Sequence, residues 1–157
     1  MEHCTSAVQT MLNALCAEEE INYQLAKSLA KSHIDARMAR KGQERWQERG
    51  GGLILSVTKR SKTSHAFRLE WSVMTPVRNA KGKWVPIYQS LPRGRSDRYP
   101  TATLLKWARE WEVDMVLEME EKAVEYRKAL KAISEMRRNL KTYCGRNNHE
   151  FPKATYE

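Results

Sequence analysis

An α+β domain, two long antiparallel helices flanking a three-stranded antiparallel β-meander, is the fold this sequence predicts. Three observations predict it. Two long stretches repeat apolar residues every three to four positions, almost uninterrupted by Gly or Pro. Between them the apolar period drops to two. A chain of 157 residues can bury one modest core and not two, so residues 1–157 are read as a single domain.

The first helix is expected over residues 1–49. Val8, Met11, Leu12 and Leu15 open its stripe, and Leu25, Ala26, Leu29, Ala30, Ile34 and Met38 continue it. The stripe thins at Glu18-Glu19-Glu20, which leaves room for a break or bend, and Gly50-Gly51-Gly52 supplies the stop. The meander follows over 53–90. Leu53, Leu55 and Val57 alternate with Ile54, Ser56 and Thr58, and Phe67, Leu69, Trp71 and Val73 with Arg68, Glu70 and Ser72. A third strand is read either from Val85 and Ile87 or from Trp84 and Tyr88. The turns are Lys59–Ser64 and Asn79–Gly82, and Pro76 and Pro86 suit strand ends or an edge strand. The sheet therefore has one apolar face and one polar, mainly basic, face.

An arginine-rich loop is expected over 91–100, then one long helix over 101–144. Its stripe is Leu104, Ala108, Trp111, Met115, Met119, Ala123, Tyr126, Leu130, Ile133, Met136, Leu140 and Tyr143. The mean step of about 3.55 residues lies between a straight helix and a coiled-coil seam. Such a helix would be roughly 65 Å long. It needs the first helix, a second subunit or both to cover the stripe, so a homodimer is expected. Cys144-Gly145 is read as the stop, and 145–157 as a mobile tail.

Charge is sorted along the chain. Residues 51–109 carry twelve Lys/Arg against only Glu70 and Asp97, within a total net charge of +9. Residues 110–126 are acidic through Glu110, Glu112, Asp114, Glu118, Glu120, Glu121 and Glu125. That block would repel phosphate, so it is expected to face away from nucleic acid or to dock on the basic segment of its own or another subunit. A basic β-surface between two helices is the footprint of a nucleic-acid binder. The candidate contacts are Lys59, Arg60, Lys62, Arg68, Arg78, Lys81, Lys83, Arg93, Arg95 and Arg98. A two-stranded ribbon fits a major groove, so Arg68, Ser72 and Thr58 are expected to reach base edges while turn lysines hold phosphates. Arg93, Arg95 and Arg98 stand before a helix start, where guanidinium forks and free backbone N–H groups would join; arginines that merely solvate a helix start are the plain alternative.

Trp71, Trp84, Tyr88, Trp107 and Trp111 could stack on unpaired bases, but core packing is the commoner use, and the spacing of Trp107 and Trp111 fits it. Metal and catalytic constellations are not expected. Cys144 and His149 have no second pair at ligand spacing, His3 and Cys4 sit at the chain start, and His65 lacks a paired carboxylate. No cofactor is expected, and no enzyme. Three widely spaced cysteines and the absence of a signal-like start or long apolar run point to a reducing cytoplasm and away from membranes.

Arg93-Gly94-Arg95, Tyr99-Pro100, the run from Trp107 to Glu112, and Tyr126-Arg127 on a long basic-ended helix resemble the MobI family of conjugative-transfer proteins. The resemblance covers about residues 65–140. It implies a non-enzymatic accessory factor at the origin of transfer, working beside a relaxase, and carries no site residues with it. Double-stranded DNA is then the expected partner. A helical protein-interaction module and an RNA or single-strand binder are the alternatives.

Overall fold

The structure is a computed structural model and describes residues 2–40 and 52–153. The expected end of the first helix (41–49), Gly50 and Gly51 of its stop, and the last tail residues (154–157) lie outside the described residues, as do the side chains of His3 and Cys4.

Helix α1 (Glu2–Arg40) runs unbroken through Glu18-Glu19-Glu20. Its inward face is Val8, Leu12, Cys16, Glu19, Asn22, Ala26, Ala30 and His33, a strict spacing of three and four. The expected stripe differs, because Met11, Leu25, Ile34 and Met38 are exposed. Three members of the true face are polar and tied to partners, so hydropathy alone misplaced it. Glu19 accepts a hydrogen bond from Arg137 at 3.1 Å, Asn22 donates to the Glu18 carbonyl at 2.8 Å, and His33 Nε2 lies 3.0 Å from the Leu53 carbonyl.

Strands β1 (Leu53–Lys59), β2 (Phe67–Arg78) and β3 (Trp84–Ser90) form an antiparallel sheet in the order β1-β2-β3. Both registers are staggered. β1 covers β2 from Phe67 to Val73, and β3 covers it from Ser72 to Arg78, so all three strands overlap only at Ser72 and Val73. Leu53, Leu55, Phe67, Leu69, Trp71 and Val73 form the inner face and pack with Ala26, Leu91, Tyr99, Leu104, Val116 and Ala123. Trp71 is the largest buried side chain, its ring edge-to-face with His33 at 5.0 Å between centroids. Burying a side chain of this class stabilises by about 1.5–3 kcal/mol.

The expected single helix over 101–144 is two helices. α2 (Thr101–Trp107) ends where Ala108 and Arg109 turn extended, with ψ of 138° and 151°. A 3₁₀ turn (Glu110–Glu112) then leads into α3 (Val113–Arg146). No Gly or Pro marks the break. Its cause is tertiary: Glu112 is fully buried, taking the Leu53 N–H at 2.8 Å and Arg37 Nη1 at 2.7 Å. The readable hint was acidic, since Glu110 and Glu112 in the 3₁₀ turn and Asp114 in the first turn of α3 suit a helix N-terminus. The break also separates Trp107 from Trp111; Trp107 is 41% exposed, against the core role expected of it. Gly145 falls inside α3, and Asn148, at φ 54°, is the left-handed residue past its end.

α1 and α3 run antiparallel, since Arg37 meets Glu112 at the start of α3 and Glu19 meets Arg137 towards its end. The sheet lies against the half of this helical hairpin nearest α2. Among the described residues no helix is long and apolar enough to cross a membrane, and Cys16 and Cys144 are free and buried.

Burial holds His33 below its ordinary pKa of 6.5, outweighing the hydrogen bond to Leu53 that acts the other way. Below pH 6.5 the unfolded chain therefore binds more protons than the folded one, so stability rises with pH through that window and is lost on acidification. Urea denaturation between pH 7.5 and 5 is expected to show this slope, and His33→Gln to flatten it.

Candidate nucleic-acid interface

Because β3 stops at Ser72, the far edge of β2 from Phe67 to Trp71 has no strand beside it. In this register the even-numbered residues of β2 bond towards β1, as the flanking bonds Met74 N–H to Gly52 and Arg60 N–H to Ala66 require. The odd ones face the open edge. Three of their polar groups are taken by other elements: the Leu69 carbonyl by Arg127 Nε (2.9 Å), the Trp71 N–H by the Tyr99 hydroxyl (3.3 Å), and the Trp71 carbonyl by the Leu91 N–H (2.9 Å). The N–H groups of Phe67 and Leu69 point into a groove of about 340 Å³ between β2, the 91–98 loop and α3.

A buried ion pair builds the wall of this groove. Arg127 grips Glu120 with two bonds, Nη1 to Oε1 at 2.9 Å and Nη2 to Oε2 at 3.1 Å, both side chains 3% exposed. Glu120 also accepts from Trp71 Nε1 at 2.8 Å and from the Tyr99 N–H at 2.7 Å, and Arg127 donates to the Asp97 carbonyl at 3.0 Å. The pair itself is on α3, and its partners lie on β2 and on the loop. Burial raises the Tyr99 hydroxyl above its ordinary pKa, so it stays a neutral phenol against the sheet.

Around the mouth stand Arg60, Arg68, Arg93, Arg95 and Lys131, together with the carboxylates Glu19, Glu70 and Asp97. Glu19 is engaged by Arg137 and Arg127 by Glu120. The five mouth cations make no ion pair among the described residues; the Arg93 guanidinium lies 6.0 Å over the Tyr99 ring. Uncommitted guanidinium forks beside outward backbone N–H groups are equipped to bind phosphate-like oxyanions.

The ten residues expected at the interface thus divide. Arg60, Arg68, Arg93 and Arg95 converge on the groove. Arg78, Lys81 and Lys83 sit instead at the far end of the β2–β3 hairpin, beyond the core. Lys59 lies 4.9 Å over the Tyr23 ring, and Lys62 is exposed in the β1–β2 turn. Arg98 is held by Glu121 through both nitrogens, the second at 2.9 Å; this raises the guanidinium pKa and lowers that of the carboxyl. Arg98 is therefore occupied, and Glu121 docks on the basic segment of its own chain. Ser72, expected to reach a base edge, is buried where the three strands overlap, between Ile54 and Ser90. Lys131 was not among the expected contacts. It stands one helical turn after Arg127, a spacing readable once α3 is placed on the groove.

The family profile described as MobI protein matches residues 23–141. No curated protein and no solved structure matches the chain.

Glu120→Ala strands a buried guanidinium and is expected to cost about 3–5 kcal/mol of unfolding free energy in urea titration. Glu121→Ala breaks a solvent-exposed pair and is expected to leave the midpoint unchanged.

Proposed function

As the chain belongs to the MobI family of conjugative-transfer proteins, we propose that it is a non-enzymatic accessory factor that binds double-stranded DNA at the origin of transfer, beside a relaxase that does the nicking. One observation carries this reading. Among the described residues, five cations free of ion pairs surround a groove edged by backbone N–H groups, against three carboxylates of which Glu19 is engaged by Arg137. The sequence from Trp71 to Ser96 adds no Asp or Glu to offset them. Guanidinium forks on phosphate position a duplex without reading its sequence, and each phosphate neutralised releases counterions. Of the acidic block, Glu112 and Glu120 are buried in pairs and Glu121 neutralises Arg98.

A protein-interaction reading has its own observation. Met11, Ala14, Ile21 and Leu25 fall in a heptad frame on the exposed side of α1, with Glu18 at the position between Ala14 and Ile21. They suit a second helix, and a homodimer built there would present two grooves to one duplex. Light scattering of the intact chain and of Ile21→Glu tests it: the dimer is expected to fall to monomer.

Fluorescence anisotropy with a duplex from the transfer origin, a scrambled duplex and the single strand, at two salt concentrations, tests the DNA reading. Tight binding to the first that survives the higher salt is the expected result. Arg68→Ala and Arg95→Ala are each expected to weaken binding and to lower the slope of log affinity against log salt by about 1, with the melting temperature unchanged. Equal, salt-labile binding to all three would reduce the surface to a generic polyanion contact.

A further inference from the structure

We propose that the β2–β3 hairpin beyond Val73 is an arm that enters a groove of duplex DNA face-on and sets Trp84 and Tyr88 against the bases. The proposal rests on the DNA-binding reading above and assigns a task that the basic groove does not perform.

Past Val73 the hairpin has left both β1 and the helices behind. Trp84, Ile87 and Tyr88 are 43%, 52% and 56% exposed. Met74, Pro76, Val77 and Val85 are only half-buried. A two-stranded ribbon with no fully buried side chain is marginal in water, so these exposed apolar side chains are shaped for a partner.

The register says how that partner approaches. Leu91 N–H to Trp71 and Asn79 N–H to Lys83, both 2.9 Å, make the odd-numbered β2 residues the hydrogen-bonded members of the ladder. Pro76 and Pro86 therefore face each other in a non-bonded pair, and the N–H that each lacks would have pointed outward, one at either edge. Strand addition is interrupted in the middle of both edges. The partner must come onto a face. Period two puts Met74 with Tyr88, Pro76 with Pro86, and Arg78 with Trp84 on one of them.

Charge says what the partner is. Arg78, Lys81 and Lys83 ring the tip, and no acid occurs between Trp71 and Ser96. The tip is tightly built: Asn79 Oδ1 accepts the N–H groups of Lys81 (2.9 Å) and Lys83 (3.0 Å), and Gly82 takes a φ of 72°. The Arg78 guanidinium lies 4.9 Å from the Trp84 ring centre. A cationic tip is suited to phosphates, whereas the aromatic and proline shaft offers them nothing. Base edges and sugars offer apolar contact, a two-stranded ribbon fits the major groove, and apolar side chains wedged at a base step bend the duplex.

The test uses the full chain and a transfer-origin duplex carrying a donor and an acceptor dye at its ends. Trp84→Ala/Tyr88→Ala is expected to keep the wild-type melting temperature and to lose at least ten-fold in duplex affinity. It should also lose the energy-transfer change on binding. Its slope of log affinity against log salt should equal the wild type's, because apolar contacts release no counterions. Arg68→Ala/Arg95→Ala should do the reverse, lowering the slope while keeping the energy-transfer change at saturation. Unchanged affinity and energy transfer in the aromatic variant would overturn the arm while leaving the groove reading intact. Loss confined to single-stranded DNA, or a dimer turned to monomer by the aromatic substitutions, would overturn it too. If the wild-type chain binds no duplex, the DNA reading itself fails, and the arm with it.

Discussion

The bidentate pair between Arg127 and Glu120 is the constraint from which the rest of the molecule can be understood. Two charges taken out of water are tolerable only when geometry and further hydrogen bonds compensate the lost hydration. Here the compensation comes from Trp71 Nε1, the Tyr99 N–H and the carbonyls of Leu69 and Asp97. These groups meet only if β2, the arginine loop and α3 are all in place. The pair therefore specifies one packing of the sheet on the helices. It also closes, with side chains, a strand edge that β3 leaves open, and so creates the groove.

A second buried carboxylate plays the matching part at the start of β1. Glu112 takes the Leu53 N–H, while Arg37 and His33 converge on the Leu53 carbonyl at 2.8 and 3.0 Å. The first residue of the sheet is thus clamped on both of its backbone groups. Reaching that position interrupts the expected long helix, because the carboxylate must turn in to meet a strand end. Within the acidic block 110–126, which on charge alone would oppose phosphate, Glu112 and Glu120 are occupied in holding the fold together.

The stagger of the strands connects this architecture to function. Shifting β3 along β2 exposes a strand edge near the helices and leaves a free hairpin at the other end. The cations follow the same division: one group, from the β1–β2 turn, β2, the loop and α3, gathers around the groove, the other at the hairpin tip. A single sheet thereby presents two surfaces of different chemistry, one of guanidinium and backbone N–H, one of cations with aromatic and proline side chains.

The sequence by itself determined the element types, their order, all three strands and the basic character of residues 51–109. These depend on local periodicity, turn residues and side-chain charge, which neighbours along the chain settle. It did not determine which face of α1 is buried, because Glu19, Asn22 and His33 become interior only through partners distant in sequence. The helix break at Ala108 and Arg109, the exposure of Trp107 and the occupation of Arg98 were hidden for the same reason. The cations were legible as a class, but their sorting into groove, arm and engaged residues was decided by the tertiary structure. Register and stagger are set by which strand edges and buried charges find compensation, and those pairings span tens of residues. No local pattern encodes them.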